Sequence, residues 1–319
     1  MLKYTFGALL AFGISAAPAL AETFPTGQVR LVVPYSAGGL TDIVGRVVAQ
    51  ELHQKWGQPV VVENITGGGS LNGAAAVAKS DPDGHTILLG SYGLITGQVM
   101  LPGAPVKPGD LAPVYKIGRT NSLLLVRKDF PADTLEGVID YIRDNPGDMS
   151  FASSGIGSSP HIGAEVFANQ LGSEILHIPF QGTSPALTEI VAGRVDAIFD
   201  GITPGFQYAR DGSMKAIAIA AAERHPSAPD VPTFKELGTD FEFGPFWGFF
   251  VTSSTPQNVQ DQLFKDLRDV VLSEEVRAKF EDYSFAMRDL SQQEFKDFMD
   301  AGTKEIEDLV AAGRLTAAP

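Results

Sequence analysis

Short apolar runs alternate with stretches of helical period through most of the chain, and each switch falls on a cluster of Gly, Pro, Ser or Asp. Residues 28–34 predict a buried strand ending at Pro34. Ile43, Val44, Val47 and Val48 then repeat at helical spacing, which predicts an amphipathic helix over 42–55 closed by Trp56-Gly57. Val60-Val61-Val62 predicts a second short buried strand. The turn Thr66-Gly67-Gly68-Gly69-Ser70 leads into an alanine-rich helix over 73–79. Pro82-Asp83-Gly84 is a turn signal, and Thr86–Leu89 a strand ending at Gly90-Ser91. Residues 101–110 carry no apolar period and read as a loop.

The same plan recurs in the second half. Leu123–Val126 predicts a strand, and Asp133 with Glu136 a capping box at the start of the next helix. Ser150–Ala152 runs into the small-residue turn 153–158, and Ser159-Pro160 caps a helix. Ile175–Pro179 is followed by the turn Gln181-Gly182-Thr183 and a helix capped by Ser184-Pro185 and stopped at Gly193. Val195–Phe199 ends at Asp200-Gly201, Lys215–Ala220 adds a strand, and a Pro-rich linker over 226–232 leads to Trp247–Val251. The tail is helical, with a capping box at Ser291 and Glu294. Strand and helix in alternation imply parallel βαβ units, and the order fits two α/β lobes with Leu123–Val126 and Trp247–Val251 as crossings. The expected division is 22–123 for the first lobe, 124–246 for the second, and 247–319 returning to the first.

The first residues add an address. Lys3, the apolar stretch from Leu9 to Ile14, and Ala19-Leu20-Ala21 form a secretion signal over 1–21, too short in its apolar part to span a bilayer. The chain of 319 residues has no cysteine, so disulfides and thiolate metal sites are excluded. A net charge of −14 argues against a nucleic-acid partner, and it means that any anionic ligand has to be held by local donors.

Gly67-Gly68-Gly69-Ser70 follows a strand, but Asn72 breaks the dinucleotide spacing, and no GxxxxGK[ST] occurs. No G-x-S-x-G is present, so Ser91, Ser154 and Ser158 read as capping or ligand-binding hydroxyls, with His161 the one histidine placed for a triad. His161 and Glu165 share the i, i+4 spacing of a helical metal pair but lack a third ligand. No metal and no cofactor are expected. Tyr35 and Phe180 follow prolines at matching strand ends and read as ligand-facing rings, whereas Phe246 and Trp247 read as hinge packing.

What remains is a constellation of strand-end turns. The first half offers Tyr35, Ser36, Ala37, Gly38, Gly39, Asp42 and Ser91 as candidate ligand-binding residues. The second offers Ser153, Ser154, Gly157, Ser158, His161, Phe180, Gln181, Gly182 and Asp200. Asp42 fits either ligand contact or ordering of its own loop. Several of these positions precede helices, whose N-termini each carry about half a positive charge. Two such ends facing one cleft can hold a carboxylate without any arginine.

The residues themselves carry a resemblance. Val29-Arg30-Leu31-Val32-Val33-Pro34-Tyr35 with Gly38-Gly39 and Thr41-Asp42, Gly57-Gln58-Pro59-Val60-Val61-Val62-Glu63-Asn64, and Asp81-Pro82-Asp83-Gly84 match in the first half. Ser154–His161, Pro179-Phe180-Gln181-Gly182, Pro185-Ala186-Leu187, Phe199-Asp200, Asp230-Val231-Pro232-Thr233 and Trp247-Gly248 continue the match. Over its whole mature length the chain resembles the Bug-type (tripartite tricarboxylate transporter) family of periplasmic receptors. That resemblance implies a two-lobed Venus-flytrap fold of the type II binding-protein kind, closing about a two-strand hinge on a small carboxylate: a di- or tricarboxylate or an aromatic acid. It implies that the 35–42 turn holds a ligand carboxylate partly through waters, that the 153–158 turn grips from the other lobe, and that a monomeric receptor in the periplasm delivers to a membrane permease. A sensor role is the alternative, and a hydrolase using Ser158 or Ser91 with His161 is a third. Gln181, Gly201 and the 66–70 turn depart from the family pattern near the expected pocket.

Overall fold

A computed structural model describes residues 24–101, 103–283, 285–311, 313 and 315; the expected secretion signal lies outside them. The first sheet contains β1 (Val29–Val33), β2 (Val60–Asn64), β3 (Thr86–Ser91), β4 (Leu111–Arg119) and β10 (Phe246–Thr252), in the order β2-β1-β3-β10-β4. The second contains β5 (Ser122–Arg127), β6 (Ser150–Ser153), β7 (Leu176–Pro179), β8 (Ala197–Gly201) and β9 (Met214–Ile219), in the order β7-β6-β8-β5-β9. Each sheet is mixed. β1 pairs in parallel with β2 and β3, and β6 with β7 and β8, while β10 and β5 run antiparallel to their neighbours.

The two sheets are therefore built alike, each with one antiparallel strand beside its parallel ones; in the first that strand, β10, comes from the far side of the chain. β10 lies between β3 and β4, and all seven of its residues are buried, which is why Phe246–Thr252 reads as a continuous apolar run. β2 is an edge strand. Its outer positions, Val61 among them at 44% exposure, face solvent, so Val60-Val61-Val62 is half exposed rather than buried as the apolar run suggests.

Helices cover the sheets: α1 (Leu40–Trp56), α2 (Leu71–Ala78), α3 (Tyr92–Met100), α8 (Gln257–Val271), α9 (Glu274–Asp282) and α10 (Gln292–Ala311) on the first, and α4 (Leu135–Asp144), α5 (Ser159–Leu171), α6 (Thr183–Val191) and α7 (Ile202–Arg210) on the second. Gly57 ends α1 in the left-handed conformation, and Ser291 with Glu294 forms the expected capping box. Three caps differ from expectation. Thr134, not Asp133, caps α4 by accepting from Gly137 N, because the Asp133 carboxylate is drawn to the Lys215 ammonium. Ser158 rather than Ser159 is the N-cap of α5, and Gly182 rather than Ser184 that of α6.

Two chain crossings join the sheets and lie against each other. Thr120 N donates to Pro245 O at 3.0 Å, and Ser122 N to Phe243 O at 2.9 Å. Gly244 permits this approach, since a Cβ there would stand 1.8 Å from the Thr120 carbonyl oxygen. Tyr92 packs edge-on against Phe243 and Phe246 at this hinge.

Candidate functional site

Between the two sheets, in front of the hinge, lies a small cavity of about 40 Å³. Tyr35, Leu40, Thr41 and Ser91 line it from the first lobe, Trp247 and Pro245 from the hinge, and Ser122, Ser154, Ser159, Pro160, Thr183, Phe199, Asp200 and Gly201 from the second. Among these described residues there is no lysine, arginine or histidine. Hydroxyls dominate, and Asp200 supplies the lone carboxyl.

The wall owes its character to five helices that begin at it. The N-caps are Gly39 for α1, Ser91 for α3, Ser158 for α5, Gly182 for α6 and Gly201 for α7, and in none does a side chain accept a hydrogen bond from the helix's free N–H groups. Away from the cavity Thr134 and Ser273 cap α4 and α9 with their hydroxyls, while α2 and α8 also start without a side-chain cap. Each uncapped end leaves N–H groups that need an acceptor, and adds about half a positive charge.

Of the residues read from sequence, Tyr35, Ser91, Ser154 and Asp200 stand on the cavity wall. Burial pushes the Tyr35 phenol up to about 12, although Ser70, Ser91 and the Gly93 backbone N–H favour its ionised form. The rest of the 35–42 turn is engaged elsewhere. Asp42 is 3% exposed and accepts from Gly38 N at 3.0 Å, Arg46 Nε at 2.9 Å and Asn64 Nδ2 at 3.0 Å. Burial raises its pKa, but these donors outweigh that and hold it below the usual carboxylate range. Both of its oxygens are occupied, so Asp42 orders the turn.

Ser36, Ala37 and Gly39 meet the second lobe rather than the cavity. Ser184 Oγ donates to Ala37 O at 3.2 Å, Gly39 lies against Thr183, and Gly182 packs directly on Ser36. Phe180 and Gln181 sit on the outer rim beside Gly67 and Gly68. Gly157 donates from its N–H to His161 Nδ1 at 3.0 Å, and its carbonyl accepts from the Thr96 hydroxyl of the opposite lobe. These contacts tie the lobes together around the cavity.

His161 stands behind the 153–158 turn, stacked on His177 with ring centroids 3.7 Å apart. Ser153 Oγ meets His177 Nε2 at 2.6 Å, and burial together with His161 pushes the His177 pKa down to about 3. The histidines support the turn from inside. The Ser158 hydroxyl is buried without a partner, so it does not form the hydrogen bond to His161 that a hydrolase would need, and the Ser91 hydroxyl is engaged with the Tyr35 phenol.

Thr41 and Thr183 lie inside the recognised turns 35–42 and 181–183 but are not among the sequence-derived contacts, and Ser159 lies one residue past the 153–158 turn; each stands at the start of a helix. Trp247, expected as hinge packing, is also cavity wall. Its Nε1 donates to Thr41 Oγ1 at 2.9 Å, while Phe246 packs on Phe295 and Phe298.

The sequence profile of the tripartite tricarboxylate transporter family receptors matches residues 44–314. The chain belongs to this family. It is 33% identical to the protein BugT of Bordetella pertussis over 283 residues, 88% of this chain and 87% of that one. Among solved structures, MatC from Rhodopseudomonas palustris with bound malate superposes with a TM-score of 0.84 at 31% identity, covering 90% of this chain and all of that one. The R. palustris protein Rpa4515 with adipate gives a TM-score of 0.84 at 28% identity, covering 90% and 97%. The fold of this family receptor is thus that of a periplasmic binding protein with a cleft between two lobes.

Proposed function

We propose that this protein is a periplasmic receptor that captures a small carboxylate between its lobes and delivers it to a membrane permease of the tripartite tricarboxylate type. The observation that carries this reading is the set of five uncapped helix N-termini around a cavity without a basic side chain. Such ends satisfy an anion through backbone N–H groups, and they let a chain of net charge −14 do so despite repulsion at long range. Hydroxyls of Ser91, Ser122, Ser154 and Thr183 add donors. Malate in MatC and adipate in Rpa4515 support the ligand class.

The test is a melting screen of the mature protein against di-, tri- and aromatic carboxylates. A ligand present at a hundred times its Kd is expected to stabilise the fold by about 2.7 kcal/mol. A clear shift with an uncharged sugar and none with any carboxylate would sink the reading. Ligand-dependent retention of the receptor by membranes containing the permease tests delivery.

A further inference from the structure

The carboxylate reading leaves one group without a role. Asp200, at the end of β8, lines the cavity, is 6% exposed, and has no hydrogen-bond partner for Oδ2. A buried carboxylate normally has a cation or several donors beside it. Here the donor identified beside it is the N–H of Gly201.

The elements packed against β8 offer no unpaired cationic side chain to compensate it; what lies beside it is the N-terminus of α7. Arg127 on β5 is committed to Asp196 at 2.8 Å, and β6 has no titratable side chain. On α5, His161 and Glu165 face each other at 3.6 Å, and on α6 Glu189 is paired with Arg194. Arg210 lies in the last turn of α7, at the end away from Asp200. From the first lobe the titratable neighbour on the cavity wall is the Tyr35 phenol, which is uncharged at neutral pH.

A ligand carboxylate enclosed in this cavity therefore shares it with a second carboxyl and no cation. Two like charges in a water-poor space cannot both remain ionised; one of them takes a proton. Asp200 is the better candidate, because the ligand can bind wherever helix N–H groups are free, whereas Asp200 is fixed in the wall. Burial already pushes the Asp200 pKa up to about 7.

We propose that Asp200 enters the ligand-bound state as the uncharged acid, donating a hydrogen bond to the captured carboxylate, so that each capture takes up one proton. This inference rests on the carboxylate-receptor reading above. It makes Asp200 a specificity residue: the protonated acid favours an anionic oxygen, while the ionised form disfavours it.

Calorimetric titration of the mature protein with malate and with adipate, from about pH 6 to about pH 8.5 in buffers of different ionisation enthalpy, tests it. Affinity is expected to fall toward tenfold per pH unit above neutrality, with about one proton taken up per ligand bound at the alkaline end. Asp200→Asn abolishes both the slope and the uptake, and binds more tightly than the wild type at the highest pH. Binding with a flat pH profile and no proton uptake overturns this inference and leaves the receptor reading intact. So does a flat wild type whose Asp200→Asn variant loses affinity throughout, since Asp200 would then be an ionised acceptor for a donor on the ligand. Failure of malate, adipate and every other carboxylate of the melting screen to bind at any pH overturns the underlying reading, and this one with it.

Discussion

The indole Nε1 of Trp247 donates to the Thr41 hydroxyl at 2.9 Å, and this bond fastens the strand returning from the second lobe to the first turn of α1. Both side chains are buried and both line the cavity. Replacing Trp247 with Phe keeps much of the ring packing against Phe285 but removes the donor. The expected cost in stability is about 1 kcal/mol, read as a fall in denaturation midpoint. Thr41→Val removes the acceptor, and the double variant should cost less than the sum of the two, because each single change already breaks the same bond. Strict additivity in that cycle would show that the bond contributes nothing.

Under the proposed function, Asp42 acts on the ligand only through the turn that it orders. It holds Gly38, Arg46 and Asn64 in one arrangement, and so fixes where the free N–H groups of α1 point. Asp42→Ala should lower stability by about 2 kcal/mol, the scale for hydrogen bonds to a charged acceptor, and weaken carboxylate binding at least tenfold. Arg46→Ala, which removes only a half-exposed partner, should cost much less. Equal effects from the two variants would place the importance in the ion pair rather than in the turn.

How legible is this site in the chain? The turns are, because Gly and Ser at the ends of apolar runs have few other uses, and five of them do lie at helix starts around one cavity. The division between wall and support is not. Asp42 and His161 stand in the turns with the same spacing as true wall residues, and only their partners, Asn64 and His177, reveal that they face inward. β4 escapes the pattern entirely because Pro113, Lys116 and Gly118 interrupt its apolar run. In the structure Pro113 and Gly118 lie at irregular register positions opposite β10, and Lys116 sits over the Phe298 ring at 4.8 Å. α3 escapes it because its residues are mostly buried, which leaves no polar face to show a period.

Two buried groups give the stability opposite slopes with pH. Asp200 stays protonated in the fold up to about 7, while in the unfolded chain it ionises near its ordinary value. The folded state then binds more protons between roughly pH 4 and pH 7, so stability falls as pH rises through that window, by on the order of 4 kcal/mol at the top. His177 is held neutral down to about 3, while in the unfolded chain it protonates near 6.5. The unfolded state binds more protons between about pH 3 and pH 6.5, so this contribution is lost as pH falls. The two offset each other in the wild type. Asp200→Asn should therefore raise the melting temperature at about pH 8, leave it unchanged near pH 4, and expose a steeper acid loss from His177. A variant no more stable than the wild type at the higher pH would mean that Asp200 is ionised in the fold without penalty.

Under the proposed capture between the lobes, their approach is set by a residue with no side chain. Gly69, at φ +61°, approaches the 153–158 turn so closely that a Cβ would lie 1.7 Å from the Ile156 carbonyl oxygen. That oxygen belongs to the opposite lobe, so the clash exists only when the lobes meet. Gly69→Ala should reduce the stability of the ligand-free protein by about 1 kcal/mol, the cost of a left-handed conformation for a residue with a Cβ. Its effect on binding should be larger. Holding Gly69 and Ile156 apart by an extra ångström or more also strains the neighbouring Thr96–Gly157 contact and opens the cavity to water. A loss of carboxylate affinity of at least tenfold, about 1.4 kcal/mol, is expected, together with a solution radius that no longer contracts on ligand addition. Wild-type affinity in the Gly69→Ala protein would show that capture is completed without the lobes meeting at this point.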